Sequence, residues 1–233
     1  MSVFDFEAGE VLLLDKPLDW TSFDVVNKVR WALKRELKKK LKVGHAGTLD
    51  PRATGLLILC TGKKTKSIES IQAEEKEYTG TFYIGATTPT YDTESEPENE
   101  QSVEGITLEK LQELTAQFKG DILQKPPMHS AVKKDGKRLY ELARKGQEVE
   151  VEPRKVTIST FEITEFSEQE AHFRVVCSKG TYIRSLANDF GVALGCGAYL
   201  KTLRRTRIGE HHVNDSMPID KFVLMVAQLN SGN

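Results

Sequence analysis

The glycine-rich segment GHAGTLDPRATG, residues 44–55, has the composition best suited to chemistry. Three glycines allow its backbone a wide range of conformations, and Pro51 restricts φ directly after Asp50. Asp50 lies between a strongly basic predicted helix and an apolar predicted strand. An electropositive setting favours the ionised carboxylate, which is the form a nucleophile needs. In sequences generally, an Asp-Pro pair more often forms a structural turn. Asp50 is therefore either a nucleophile or part of such a turn, and both interpretations stay open.

Motifs for other kinds of chemistry do not occur in the sequence. It has neither a G-x-x-x-x-G-K-[ST] phosphate loop nor a G-x-S-x-G nucleophile elbow. The five histidines show no metal-ligand spacing. The three cysteines, Cys60, Cys177 and Cys196, form no Cys-x-x-Cys pair. We therefore expect no bound metal and no disulfide framework.

Length and composition indicate a globular protein. The chain has 233 residues, of which 39% are hydrophobic and 29% charged. Its longest apolar runs fall far below the roughly 18 residues of a membrane helix. The acidic start MSVFDFEAGE lacks the basic and apolar pattern of a signal peptide. We expect a cytoplasmic protein without a membrane partner.

The net charge of -1 hides a strong segregation of charge. Four short segments carry +7, +3, +4 and +4, so the rest of the chain carries the compensating acid; they are residues 28–42, 63–66, 133–145 and 201–207. Much of that acid lies in the run 92–104, which has no Lys or Arg. Basic stretches can bind a polyanion whatever the total charge, although each could also be a solvated helix face.

The order of predicted elements favours an α+β fold in one domain. Strands are predicted over residues 10–15, 56–60, 76–84, 149–166, 171–178 and 198–212. Helices are predicted from Thr21, with a capping box to Asp24 and an apolar stripe as far as Leu41, over residues 107–118 with a stop at Gly120, over 139–145, over 181–194 with an end at Gly195, and from a Ser216 cap to about residue 229. The acidic run 92–104 is predicted to be a mobile loop. No regular βαβ alternation appears, which argues against a doubly wound sheet.

The loop GHAGTLDPRATGLLILCTGKKTK strongly resembles the signature of the bacterial tRNA pseudouridine-55 synthases, the TruB-type family. The resemblance covers nearly the whole chain, through LLLDKP with TSFDVV, KEYTGTFYIGATTPTYDTE, QKPPMHSAVKKDGKRLYELARKG and CSKGTYIRSLANDFG with GCGAYLKTLRR. It implies the pseudouridine synthase fold, a mixed and mostly antiparallel sheet flanked by helices and loops. It also implies an isomerase that converts uridine 55 of the tRNA T-loop to pseudouridine without a cofactor.

The resemblance implies three catalytic residues. Asp50 matches the catalytic aspartate of the family. Tyr78 matches the tyrosine that stacks on the target base and accepts the proton from C5. Arg184 matches the arginine that pairs with the aspartate and keeps it ionised.

Further positions match residues that bind the substrate. His45 matches the loop histidine that contacts the T-loop, and Tyr182 and Leu203 match positions that line the uracil pocket. Lys16 and Lys66 match basic positions near the active site. His129 stands where the family usually has an aromatic residue, which puts a stacking role there in doubt.

The implied reaction needs little besides these groups. Uracil is a conjugated carbonyl compound, so it can serve as its own electrophile and leaving group. One carboxylate could attack C1′, attack C6, or assist departure to a glycal, and the sequence leaves all three routes open. The target base must leave its stack to reach Asp50.

The resemblance also bears on size and partners. Many relatives carry an additional RNA-binding PUA domain; here we expect the catalytic domain alone, over residues 1–233. We expect a monomer that binds the tRNA T-arm without an obligate protein partner. The alternatives are a non-catalytic RNA-binding or tRNA-folding module, a synthase of another RNA, and a hydrolase using Asp50. The hydrolase would need a second carboxylate, for which the sequence offers no convincing candidate.

Overall fold

The computed structural model describes residues 4–128, 130, 133, 134, 137, 138, 149 and 151–229. The predicted helix 139–145, His129 and much of the basic segment 133–145 lie outside these residues. The chain divides into two compact units, Met1–Tyr78 with Arg204–Asn233, and Thr79–Leu203. The prediction of one catalytic domain over residues 1–233 stays a prediction.

Helices and strands alternate irregularly along the described chain. The helices are α1 Ser22–Leu37, α2 Ile68–Ala73, α3 Leu108–Leu114, α4 Ile183–Leu194 and α5 Ile219–Gln228. The strands are β1 Val11–Lys16, β2 Val43–His45, β3 Ala53–Thr61, β4 Lys76–Ile84, β5 Gly120–Gln124, β6 Lys133–Lys134, β7 Lys137–Arg138, β8 Arg154–Ser167, β9 Glu170–Cys177, β10 Ala198–Ile208, β11 His211–His212 and β12 Met217–Pro218. Within the described residues, no helix is long and apolar enough to cross a membrane.

The first unit is a sheet covered by two packed helices. Its strand order is β12-β1-β3-β10, with β2 paired to β3 and β11 paired to β10. β12 runs parallel to β1, and β3 runs antiparallel to both β1 and β2. Helices α1 and α5 pack together and bury one core with the sheet, which includes Leu14, Val26, Leu33, Leu57 and Phe222.

The first residues of α1 confirm the predicted capping box. The Thr21 hydroxyl accepts a hydrogen bond from the Asp24 amide at 3.1 Å, and the Asp24 carboxylate accepts one from the Thr21 amide at 2.8 Å. These bonds satisfy backbone donors that would otherwise lack partners at the start of the helix. The helix ends at Leu37, before a left-handed Lys38, so Leu41 of the predicted apolar stripe lies beyond it.

The second unit is a sheet with an aromatic core. Its strand order is β10-β4-β9-β8-β5, in which β8 pairs antiparallel with both β9 and β5. Phe82 on β4 lies 4.3 Å from Phe173 and 6.1 Å from Phe161 between ring centroids. Phe190 of α4 completes this cluster, 5.4 Å from Phe161. α4 ends at a left-handed Gly195, as predicted from the sequence.

The observed elements confirm the α+β class and correct several boundaries. Gly120 begins a strand, whereas the sequence suggested only a helix end. The final helix begins after Pro218 without a side-chain cap, so the prediction that Ser216 caps it is wrong. The acidic run 92–104 forms no helix or strand. It is anchored nonetheless, because Glu98 forms a β-bridge with Thr87 and Asp92 is buried.

Two backbones approach closely at Gly55 in β3, and we expect Gly55→Ala to destabilise the protein severely. An added Cβ would lie 2.3 Å from the carbonyl oxygen of Arg205, at a backbone φ of +103°. A clash against backbone cannot be relieved by side-chain rotation, so the free energy of unfolding should fall by about 3 kcal/mol or more.

Gly47→Ala is the matched control, to be measured by the same urea-unfolding experiment. Gly47 also has positive φ, at +111°, but its added Cβ would come no closer than 3.6 Å to another atom. The free energy of unfolding of Gly47→Ala should therefore fall only by the cost of a positive φ, about 1–2 kcal/mol. Equal losses in the two variants would contradict this account of Gly55.

Candidate active site

Asp50 lies in a seven-residue connection between β2 and β3, residues 46–52, called here the aspartate loop. The Ala46 amide donates to the Ile58 carbonyl at 2.9 Å, and the Ala53 amide donates to the Asp50 carbonyl at 3.0 Å. Both ends of the loop are thus fixed to the sheet. The Asp50 side chain is half-buried, so part of it reaches solvent.

Arg205 of β10 supports the aspartate loop from within the first unit. It is 1% exposed, and its guanidinium donates to the carbonyls of Leu56 at 2.8 Å, Gly47 at 3.1 Å and Thr48 at 3.3 Å. Buried carbonyls need hydrogen-bond donors, and the planar guanidinium presents five N–H groups in a fixed fork. Arg205 therefore holds the first half of the loop.

Lys16, at the end of β1, supports the second half of the loop. Its side chain is fully buried, and its ammonium donates to the carbonyls of Trp20 at 2.6 Å, Pro17 at 2.9 Å and Pro51 at 3.4 Å. Its donors thus face the backbone of the first unit. The bond to Pro51 connects β1 to the residue that directly follows Asp50.

The electrostatic environment of Lys16 includes Asp50. Burial lowers the pKa of Lys16 from 10.5 to about 8, and the charges of Asp50 and Asp19 oppose that shift. The charge of Arg205 lowers the pKa further. At neutral pH Lys16 remains a cation, and it attracts the negative charge of Asp50.

The helix α1 provides a third support. The hydroxyl of the buried Ser22 accepts from the Leu49 amide at 2.8 Å and lies 3.1 Å from the Leu49 carbonyl, to which it donates. The Asp19 amide donates to the Pro51 carbonyl at 2.9 Å. The capping box therefore has a local consequence, because it fixes the start of α1 beside the residue that precedes Asp50.

The other predicted site residues of the first unit differ in exposure. His45 is half-buried on β2, and burial lowers its pKa, with the Arg205 charge adding to the shift and a backbone hydrogen bond with Gly47 opposing it. A neutral imidazole suits a hydrogen-bonding or stacking contact. Tyr78 is 9% exposed on β4, and Lys66 is exposed on a 3-10 helix, Gly62–Ser67.

In the second unit, Arg184 pairs with Asp92, which belongs to the acidic run predicted to be a mobile loop. Arg184 Nε lies 3.5 Å from Asp92 Oδ2, with side-chain exposures of 5% and 4%. A nearly dry ion pair fixes the guanidinium, because a displaced partner would leave a buried charge. The predicted pairing of Arg184 with Asp50 involves residues of different units and stays a prediction.

A buried amide holds the backbone of Tyr182. The Gln124 side chain accepts from the Tyr182 amide at 2.8 Å and donates to the Tyr182 carbonyl at 3.1 Å. Gln124 is 2% exposed, at the end of β5. It therefore fixes the residue directly before α4, the helix whose second residue is Arg184. Leu203 is half-buried on β10.

The basic residues of segment 201–207 have partners within the fold. In the first unit Arg204 pairs with Asp15 at 2.7 Å, and Arg207 pairs with Glu75 at 2.9 Å. In the second, Lys201 pairs with Glu170. Together with the buried Arg205, all four cations of the segment have internal partners.

Sequence reasoning missed the supporting residues Arg205, Ser22, Asp92 and Gln124. Arg205 was counted within a basic cluster, although alternation along a strand gives successive arginines opposite faces. Asp92 was counted within an acidic run. Neither Ser22 nor Gln124 carried a recognisable motif, because their partners lie 27 and 58 positions away.

We expect Arg205→Met to destabilise the first unit by about 3 kcal/mol or more, since two carbonyls of the aspartate loop and the Leu56 carbonyl of β3 would lose their donor. Arg207→Met, two residues along the same strand, is the control. Arg207 is partly exposed and its ion pair should contribute at most about 1 kcal/mol. Urea unfolding measures both, and comparable losses would show that Arg205 is not the support described.

The lowered pKa of Lys16 predicts a pH dependence of stability. Between about pH 8 and pH 10.5 the unfolded chain retains a proton on Lys16 that the folded chain releases. The free energy of unfolding should therefore rise with pH, by up to about 1.4 kcal/mol per pH unit, relative to a Lys16→Met variant. Urea unfolding of both proteins at pH 7.5, 8.5 and 9.5 measures this difference. Parallel pH profiles would contradict the lowered pKa.

Comparison with known proteins places this site in a family. The TruB family pseudouridylate synthase N-terminal domain matches residues 34–183, and the tRNA pseudouridylate synthase B C-terminal domain matches residues 184–231. A Flavobacterium johnsoniae protein named tRNA pseudouridine synthase B is 56% identical over 224 residues, which cover 95% of this chain and 98% of the relative. Its Phocaeicola vulgatus counterpart is 52% identical over 94% of this chain and 93% of the relative.

A solved structure supports the same assignment of the fold. The chain resembles one in the crystal structure of a Cbf5-Nop10-Gar1 complex, with a TM-score of 0.72 and 28% identity. The match covers 98% of this chain but 57% of that one, so this chain spans little more than half its length. With its family domains matched along residues 34–231 and close relatives along nearly its whole length, the chain belongs to the TruB family of pseudouridylate synthases.

Proposed function

We propose that this protein is a cytoplasmic tRNA pseudouridine synthase that isomerises uridine 55 in the T-loop. The observation that carries the proposal is the construction of the aspartate loop. Carbonyls of the loop accept from the buried side chains of Arg205 and Lys16, while Asp50 as a residue is only half-buried. The surrounding residues thus fix the backbone of a loop that carries a single acidic residue at a partly exposed position.

The reaction is an isomerisation and balances without another reactant. The bond from uracil N1 to ribose C1′ breaks, the base turns, and a bond from C5 to C1′ forms. C5 loses its proton and N1 ends with one. We propose Asp50 as the nucleophile or electrostatic partner at the sugar or base, and Tyr78 as the stacking platform and acceptor of the C5 proton.

The proposed role of Arg184 is to keep the active carboxylate charged and aimed. A guanidinium suits this role because it stays protonated and can bind a carboxylate through two hydrogen bonds. Its contact with Asp92 supports the role, since a second carboxylate restricts the rotation of the guanidinium. We propose that Asp92 is a positioning residue of the same reaction.

The substrate is a folded RNA, whose target base must leave the stack at a cost of a few kcal/mol. His45, Tyr182, Leu203 and Lys66 are the proposed binding residues. The neutral state of His45 fits a contact with bases, and the exposed Lys66 fits a phosphate contact. Lys16 has its donors occupied by carbonyls, so we propose that it positions Asp50 and does not itself bind RNA.

The experiment that tests the function uses unmodified tRNA, whose uridines are mapped after carbodiimide labelling. The native protein should convert uridine 55, and Asp50→Asn should lower the rate by at least about 1000-fold through loss of the carboxylate. Asp19→Asn is the control: it is an isosteric change of an exposed aspartate that pairs with Arg52 in the same region.

Measuring tRNA affinity separates the enzyme from the non-catalytic alternative. For the enzyme, Asp50→Asn should retain tRNA affinity within about threefold while losing conversion. A native protein that binds tRNA but forms no pseudouridine would be an RNA-binding or tRNA-folding module. Conversion by Asp50→Asn at the native rate would remove Asp50 from its proposed role.

A further inference from the structure

We propose that the solvent-facing side of α1, from Phe23 to Lys38, is a second RNA-binding surface that holds the tRNA outside its T-arm stem-loop. This inference rests on the proposed function, because it takes the same tRNA as its ligand. The surface is called here the α1 face, and Lys40 and Lys42 extend it beyond the helix. Four observations support it, all within the first unit.

The helix is divided sharply into two sides. Its buried side contributes to the core, through Val25, Val26, Val29, Ala32 and Leu33. Phe23, Asn27, Arg30 and Lys34 are exposed and follow the i, i+4, i+7, i+11 spacing of one helix face. Trp31 and Lys38 lie beside that line. Nothing in the described fold covers these side chains.

The charge on the α1 face is mostly uncompensated. Arg35 pairs with Glu36, and Lys39 pairs with Glu7 at 2.6 Å. In the part of the chain that the structure describes, Lys34, Lys38, Lys40 and Lys42 have no acidic partner within ion-pair distance, and all four are exposed. This differs from segment 201–207, whose cations have internal partners. A cluster of free lysines attracts a polyanion.

Two aromatic rings stand among these cations. Phe23 and Trp31 are 59% and 53% exposed. The Arg35 guanidinium lies 4.7 Å from the centroid of the Trp31 ring, and the Arg30 guanidinium lies 5.9 Å from that of Phe23. Exposed rings that alternate with cations can stack on unpaired bases while the cations bind phosphates.

The same arrangement argues against a membrane as the ligand. An interfacial helix inserts a broad apolar side into the lipid, whereas the apolar side of α1 is buried in the protein core. What remains exposed is two separated rings within a basic surface. Bases and phosphates together match both features of that surface.

The position of α1 places its basic end away from the reacting base. The first residue of the helix, Ser22, is hydrogen-bonded to Leu49, next to Asp50. Sixteen residues extend about 24 Å from that point at 1.5 Å per residue. Lys34 therefore lies about 18 Å along the helix from Ser22, and Lys38 directly follows its last residue, so we infer that these cations contact parts of the tRNA beyond the nucleotides that neighbour the flipped uridine.

The test compares the affinity of full-length unmodified tRNA with that of its isolated T-arm stem-loop. The variant is Lys34→Gln/Lys38→Gln/Lys40→Gln, and the matched control is Lys110→Gln/Lys119→Gln/Lys221→Gln, which removes three exposed charges elsewhere. The first variant should weaken tRNA binding at least about tenfold, and by at least fivefold more than stem-loop binding. Its slope of log K against log salt should fall by about 2–3. The control should stay within about twofold of the native protein.

A fourth protein, Trp31→Ala, separates stacking from charge. It should weaken tRNA binding while leaving the salt slope unchanged, because stacking releases no counterions. Unfolding curves that coincide with the native curve exclude a loss of fold in each variant. Native tRNA affinity in the triple variant, or an equal loss for tRNA and stem-loop, would overturn the proposal.

Two further readouts distinguish the possible failures. The first is binding of phosphatidylserine-containing vesicles. If the native protein binds them, and the triple variant loses that binding but keeps native tRNA affinity, the proposal is overturned in favour of a membrane surface. The proposed function fails separately, if the native protein forms no pseudouridine in either RNA. Because affinity is measured without turnover, that failure leaves the comparison of affinities intact.

Discussion

The aspartate loop depends on a single constraint, the need to satisfy its own backbone carbonyls. A loop that turns tightly against a sheet cannot pair these groups with a neighbouring strand, and each buried carbonyl left unpaired costs about 1–3 kcal/mol. Arg205 and Lys16 supply the missing donors, and Ser22 binds both backbone groups of Leu49. Segments far apart in sequence thus meet at Asp50.

The donors that satisfy the loop also set its electrostatics. The guanidinium of Arg205 brings a positive charge to the carbonyls of Gly47 and Thr48. Burial lowers the pKa of Lys16 to about 8, so Lys16 is still a cation at neutral pH but titrates only slightly above it. Two cations therefore lie beside the loop that carries Asp50. The basic residues of α1 predict an electropositive setting for Asp50, but the buried Arg205 and Lys16 also create it.

Local features of the fold could be predicted because their causes are local. The period of two predicts β4, and the spacing from Thr21 to Asp24 predicts the start of α1. Gly195 ends α4 where its left-handed conformation is needed. The positions that hold the site could not be found in this way. Asp92 has the composition of a solvated acidic run, and its pairing with Arg184 joins residues 92 positions apart.

Some basic residues of this chain are paired within the fold and others are exposed, which explains why net charge says little about an RNA partner. Along β10, arginines lie where carboxylates and carbonyls of the fold are within reach, so their charge contributes to structure. Along α1, buried valines fix one side of the helix, and Lys34 on the opposite side has no acidic partner within ion-pair distance among the described residues. Burial and pairing, which sequence counts cannot reveal, decide which cations face solvent. The near-zero total is therefore compatible with a strongly basic surface, provided that the compensating acid lies elsewhere, as the run 92–104 does.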